Sequence, residues 1–246
     1  VGMLRHSGYV RLSNSGSVRL ETKNVQGMMQ LSPTQYPGRK ISARQIFVYR
    51  YPAADYSWQV QADQILPEVS LNQVLIYQQL ESDRVIRATV ELDIREAPLR
   101  EWEMRIPDRY AVASLKGAEI ADYVVGTAVE NGHRDVKVLF KKAVSGRQLV
   151  MLRLEKNSPA KAGLWKLPVI DYPGAKAVRG HLGVSTAAGW RVVPNKVNKL
   201  TETPLSYFPV KDTDIQQTYR MREQGWSAEV KIDAREQSVQ ADVFHL

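Results

Sequence analysis

Cysteine is absent from all 246 residues, which excludes disulfide staples, thiol nucleophiles and Cys-ligated zinc or iron–sulfur sites together. It leaves the compartment open, because exported bacterial proteins can also dispense with cysteine. Long apolar runs are lacking too. No stretch approaches the roughly 18–20 residues that cross a bilayer, so no membrane span is expected in this fragment. Residues Val1 to Gly8 contain no apolar core of the kind a signal peptide needs, and any export signal or anchor is expected outside this piece.

Reactive motifs are equally scarce. Neither Gly-x-x-x-x-Gly-Lys-Ser/Thr nor Gly-x-Gly-x-x-Gly occurs, which leaves no case for a phosphate-cradling loop or a dinucleotide fold. The nearest approach to Gly-x-Ser-x-Gly is Gly183-Val184-Ser185-Thr186-Ala187, where Ala replaces the second glycine and Ser185 reads as strand rather than elbow. His6, His133, His181 and His245 lie too far apart for the paired spacing of a zinc protease. His133 reads as a surface residue of a turn. Glu91 with Asp93, and Glu101 with Glu103, have the spacing of same-face strand carboxylates. The arginines at 87, 95, 100 and 105 make solvent-side ion pairs the better account than glycosidase-type acid–base work. No catalytic residue, metal ligand or cofactor is nominated.

What the chain has is globular composition, with 43% hydrophobic and 24% charged residues, and enough length for a real core. Its formal charge is +8, yet the basic residues are scattered singly among apolar neighbours, as on the wet faces of strands. Nucleic acid is therefore not an expected partner. The dominant periodicity is two. In Val85–Ile94, the side chains of Ile86, Ala88, Val90, Leu92 and Ile94 share one face, while Arg87, Thr89, Glu91 and Asp93 share the other. Strands are also expected at Ile46–Tyr51, Tyr56–Ala62, Glu101–Ile106, Asp135–Lys141, Gln148–Leu154, Val178–Ser185, Trp190–Val193, Ile215–Arg220, Ser227–Asp233 and Ser238–Phe244. Turns are expected at Glu96-Ala97-Pro98, Pro107-Asp108, Asn131-Gly132, Ser145-Gly146 and Pro173-Gly174. Helix is confined to Leu115–Val124 and a single turn at Thr203–Tyr207. The expected fold class is all-β, an antiparallel sandwich, single or extended to a double one, with few short helices.

An internal likeness sets the domain expectation. A shift of 172 aligns Gly8 with Gly180, Ser13 with Ser185, Arg19 with Arg191, Val25 with Val197 and Pro37 with Pro209. After a two-residue deletion the shift becomes 170, and Tyr49-Arg50 meets Tyr219-Arg220, Ser57 meets Ser227, Val60 meets Val230 and Asp63 meets Asp233. A sandwich unit over 1–172 is expected, followed by a second, truncated unit over 173–246 that packs onto the first.

Aromatic residues offer one binding feature. Trp102 and Trp190 fall on apolar strand faces and read as core. Trp165, after the Ser-Pro-Ala-Lys-Ala loop, is the candidate ligand-binding residue of a carbohydrate-stacking platform, provided it is exposed.

The segments Gly180-His181-Leu182-Gly183-Val184, Gln216-Gln217-Thr218-Tyr219-Arg220 with Gly225-Trp226-Ser227, and Gln237–Phe244 resemble those of large uncharacterised bacterial proteins with repeated β-sandwich domains. So does Trp102–Pro107 followed by Lys116-Gly117. The resemblance implies an exported or membrane-anchored setting in the periplasm or cell envelope, and no catalytic residues. The expected function is a non-catalytic structural or interaction module whose partners are proteins or its own flanking domains. The alternatives are a carbohydrate-binding module, then a glycosidase- or mutarotase-like domain.

Overall fold

The computed structural model describes residues 6–14, 16, 18–211 and 214–235. Among them the fold is all-β, and its only helical pieces are 3-10 turns at Pro33–Gln35 and Leu205–Tyr207. The expected strand at Ser238–Phe244 lies outside the described residues.

Contacts divide the chain differently from the expected boundary at 172/173. One unit comprises Val1–Pro67 with Glu96–Pro98, and the other comprises Glu68–Arg95 with Leu99–Leu246. The first contains β1 (Gly8–Asn14), β2 (Val18–Gln26), β3 (Met29–Leu31), β4 (Gln45–Tyr51) and β5 (Ser57–Gln64). They form a three-stranded sheet in the order β1-β4-β3 and a β2-β5 pair. Gln45 links the two: its Oε1 accepts the Leu20 N–H at 2.8 Å, and the neighbouring Asn14 amide donates to the Val18 carbonyl.

The second unit holds β6 (Glu68–Gln79), β7 (Asp83–Pro107), β8 (Ala111–Lys116), β9 (Ile120–Val125), β10 (His133–Asn157), β11 (Gly163–Lys166), β12 (Ala177–Thr186), β13 (Trp190–Asn198), β14 (Leu200–Glu202), β15 (Ile215–Met221) and β16 (Ser227–Ala234). An eight-stranded sheet runs β14-β15-β12-β6-β7-β10-β8, with β9 also on β10. A smaller sheet runs β11-β16-β13. The residues expected on the inner face of β7, from Ile86 to Ile94, are buried, and they join Trp165, Val230 and Ile232 of the smaller sheet in one core. Tyr77 of β6 meets Trp165 and Trp226 edge-on, with ring centroids 6.2 and 6.3 Å away.

Three local expectations are corrected. Glu96-Ala97-Pro98 and Ser145-Gly146 do not reverse the chain: both lie inside 25-residue strands, β7 and β10, where the pairing register slips. Glu96 and Gly146 take φ of +66° and +69°, so these turn-forming residues make a bulge rather than a hairpin. Leu115–Val124 is strand rather than helix: it joins the end of β8 to β9, which both pair with β10, and the bend between them is held by the Ile120 N–H donating to the Gly117 carbonyl at 3.3 Å.

Pairing in the two aligned stretches agrees at most positions, with one-residue slips at Ser185 and Lys196. Gly8 faces Tyr51 and Gly180 faces Met221; Val10 faces Tyr49 and Leu182 faces Tyr219. Arg19 faces Asp63 and Arg191 faces Asp233; Met29 faces Arg50 and Thr201 faces Arg220. Even the side-chain link recurs. Gln216 Oε1 accepts the Val192 N–H at 2.8 Å, and Thr186 Oγ1 donates to the Trp190 carbonyl at 3.1 Å. Gln216 lies 171 rather than 170 residues beyond Gln45, and β15 has a register slip at that point.

Candidate functional site

The junction of β6 and β12 is the most specialised place in the second unit. It is a parallel pairing in an otherwise antiparallel sheet, running over ten residue pairs from Ala177 opposite Ser70 to Thr186 opposite Gln79. Parallel neighbours need a long crossover, here everything between Gln79 and Ala177. Segment 173–235 therefore does not stand as a separate unit, because its first strand completes the sheet made by residues 68–157.

Two residues make the close approach possible. Gly180 has φ of +155°, and a Cβ there would lie 1.9 Å from the Gln73 carbonyl oxygen. Only glycine fits such a contact. The Gln73 side chain is buried, and its polar atoms are satisfied: Oε1 accepts the Tyr172 hydroxyl at 2.7 Å, and Nε2 lies 3.2 Å from the Met221 sulfur. Burial, and secondarily the charge of Asp171, pushes the Tyr172 hydroxyl pKa far above the ordinary tyrosine value, so it stays a donor. Apolar alternation does not signal Gln73. The recurrence of glycine at 8 and 180 inside apparent strands was the available hint.

Trp165 is not an exposed platform. It is 2% exposed, because it projects from β11 into the core against Tyr77. One side lines a cleft of about 360 Å³, shared with Arg84, Tyr110, His133 and Lys156. The Arg84 guanidinium sits 4.7 Å above the Trp165 ring, and its Nε donates to Gln79 Oε1 at 2.7 Å. The face a sugar would stack on is thus taken by the protein itself. His133 Nδ1 and Nε2 lie 3.1 and 3.0 Å from the carbonyls of Asn131 and Val169, and Nε2 is also 3.7 Å from the Asp171 carboxylate.

The carboxylate pairs sit where strand alternation put them, among cations. Glu91 is 3.7 Å from Arg147, Asp93 is 2.6 Å from Arg95, and Lys137 lies 3.2 and 3.5 Å from Glu101 and Glu103. Hydrogen bonding to Arg95 holds the Asp93 carboxyl below its usual range. Ser185 is buried within β12. Beside the junction, a pocket of about 360 Å³ gathers Arg179, His181, Arg220 and Arg222. Desolvation first, then the nearby Arg220 charge, lowers the His181 pKa. Among the described residues, no group of three or more His, Asp or Glu side chains is arranged to hold a metal ion, and no helix is long and apolar enough to cross a membrane.

These features define an all-β, sandwich-like protein with a sheet junction at its centre. No protein-family model and no curated protein matches the chain. Among solved structures it is similar to a two-domain M1 zinc metallopeptidase mutant bound to L-tryptophan, at 11% identity over 69% of this chain and 44% of that one, TM-score 0.41. It is also similar to an M1 zinc metallopeptidase mutant from Deinococcus radiodurans bound to a Tyr-Ser-Ala substrate, at 13% identity over 68% and 43%, TM-score 0.41. A third is native leukotriene A4 hydrolase from Saccharomyces cerevisiae, at 11% identity over 68% and 29%, TM-score 0.43. The chain spans less than half the length of each of these three proteins. Likenesses of this depth do not extend the neighbours' chemistry to this chain.

Proposed function

We propose that this chain is a non-catalytic structural and interaction module of a larger protein built from repeated β units, in the exported or membrane-anchored setting that its sequence resemblance implies. Its work is to hold successive segments together by sheet completion: the strand that opens one five-strand segment adds in parallel to the first strand of the segment before it. The observation that carries this reading is the shared pairing register of β1–β5 and β12–β16. Such agreement over three equivalent ladders, with a recurring side-chain link, is what duplication of one folding unit produces and what independent strands have no reason to share.

Hydrogen exchange on the intact chain tests this reading. Amides of β6 and β12 are expected to exchange in one cooperative event, because neither strand can leave the ladder alone. The reading is overturned if β12 amides exchange a hundredfold faster than those of β6. It is equally overturned if a screen of peptidase, glycosidase and esterase substrates finds turnover that one substitution abolishes.

A further inference from the structure

The correspondence between the two stretches leaves one strand edge unmatched. β12 lies between β15 on one side and β6 on the other, whereas β1, its counterpart, has β4 on one side and, among the described residues, no strand on the other. Bare edges offer a row of unpaired N–H and C=O groups, and proteins ordinarily cover or blunt them. β1 contains no proline and no lysine, Arg11 is its one charged residue, and its pairing with β4 shows no register slip from Gly8 to Asn14.

We infer that the outer edge of β1 is the acceptor for a parallel β6-type strand supplied by another unit of the same repeat-built protein. The inference rests on the reading given under Proposed function and names the partner that reading requires.

Two observations point to the occupant. First, the register is already written in the junction, where Gly180, His181, Leu182 and Val184 stand opposite Gln73, Val74, Leu75 and Tyr77. Subtracting 172 puts Gly8, Tyr9, Val10 and Leu12 opposite the same four positions of an incoming strand. Second, Leu182 and Val184 are fully buried, while their counterparts Val10 and Leu12 are only half-buried, and Tyr9 is 41% exposed. That is the pattern of a face awaiting one more strand. The chain's own β6 cannot serve, since β7 and β12 occupy both its edges.

The lack of native cysteine makes the register directly readable by disulfide trapping. Neighbouring strands lie about 4.8 Å apart, within the Cα separation of about 4.4–6.8 Å that a disulfide bridges. The full chain carrying Tyr9→Cys is mixed, under a glutathione redox buffer, with a peptide of sequence Glu68–Gln79 carrying Val74→Cys. A second peptide carries Leu75→Cys, one residue out of register. The in-register peptide is expected to form the mixed disulfide at least tenfold faster than the other. Equal trapping of both peptides would overturn the inference. So would preferential Tyr9→Cys self-dimers, which would assign the edge to a second copy of the chain. An intramolecular control, His181→Cys with Val74→Cys, separates the two levels. If the control closes and β1 ignores the peptide, the edge proposal alone falls. If the control stays reduced in the folded chain, the junction behind the functional reading falls with it.

Discussion

Replacing Gly180 by alanine is the most direct probe of the junction. The added methyl carbon would lie 1.9 Å from the Gln73 carbonyl oxygen, 2.8 Å from its carbon and 2.9 Å from its nitrogen. All three are backbone atoms of β6, which is paired on both sides, so no side chain can swing away to make room. A non-glycine residue at φ of +155° adds backbone strain of about 1–3 kcal/mol. Relieving the overlap by displacing a strand adds about 1–3 kcal/mol more. The total is about 2–6 kcal/mol, a large fraction of the about 5–15 kcal/mol by which a domain is stable.

Gly189→Ala isolates the first part, because Gly189 has φ of +82° and open space where a Cβ would go. Urea unfolding followed by tryptophan fluorescence suits both variants, since Trp102, Trp165, Trp190 and Trp226 lie in the unit that contains the junction. With a denaturant slope of about 2–3 kcal/mol per molar, the Gly180→Ala midpoint should fall about 0.3–1.5 M below that of Gly189→Ala. Coincident midpoints would show that β12 does not approach β6 as closely as described, and the close-packed parallel junction would be refuted.

Two further outcomes follow from the same packing. Trp165→Ala removes an almost wholly buried indole and its contact with the Arg84 guanidinium, and should cost about 3–5 kcal/mol in denaturant unfolding; a loss below about 1 kcal/mol would contradict its burial. Tyr172→Phe should flatten the alkaline stability profile. Burial, with help from Asp171, raises the Tyr172 pKa above the unfolded value of 10.0, so above that pH the unfolded chain gives up a proton that the native state keeps. Stability is fully present below pH 10 and falls as pH rises past it, by about 1.4 kcal/mol per pH unit for this one tyrosine. Urea midpoints at pH 9 and 11 for both proteins read the difference, and parallel profiles would contradict it.

Period-two alternation settled which residues face the core. Ile86 to Ile94 on β7, the strands around Tyr49, Trp190 and Tyr219, and the all-β class itself were legible because burying one face of a pleated strand demands apolar residues at every second position. The offsets of 172 and 170 residues likewise placed Gly8 against Gly180 and Asp63 against Asp233 before any pairing was known. Alternation, however, names a strand's face and not its neighbour. It could not say that β12 would run parallel to β6, that residues 173–235 would therefore share a unit with 68–95, or that a buried Gln73 would find Tyr172 and Met221 from distant parts of the chain. Local chemistry was also ambiguous where two conformations use the same residues: Glu96-Ala97-Pro98 and Ser145-Gly146 suit a bulge as well as a hairpin, and only the long β7–β10 ladder chose between them. Trp165 was ambiguous for the same reason, since a tryptophan beside a loop can face solvent or core, and the Tyr77 ring it packs against comes from a strand far away in sequence. Faces are a property of the strand alone, whereas partners belong to the assembled sheet.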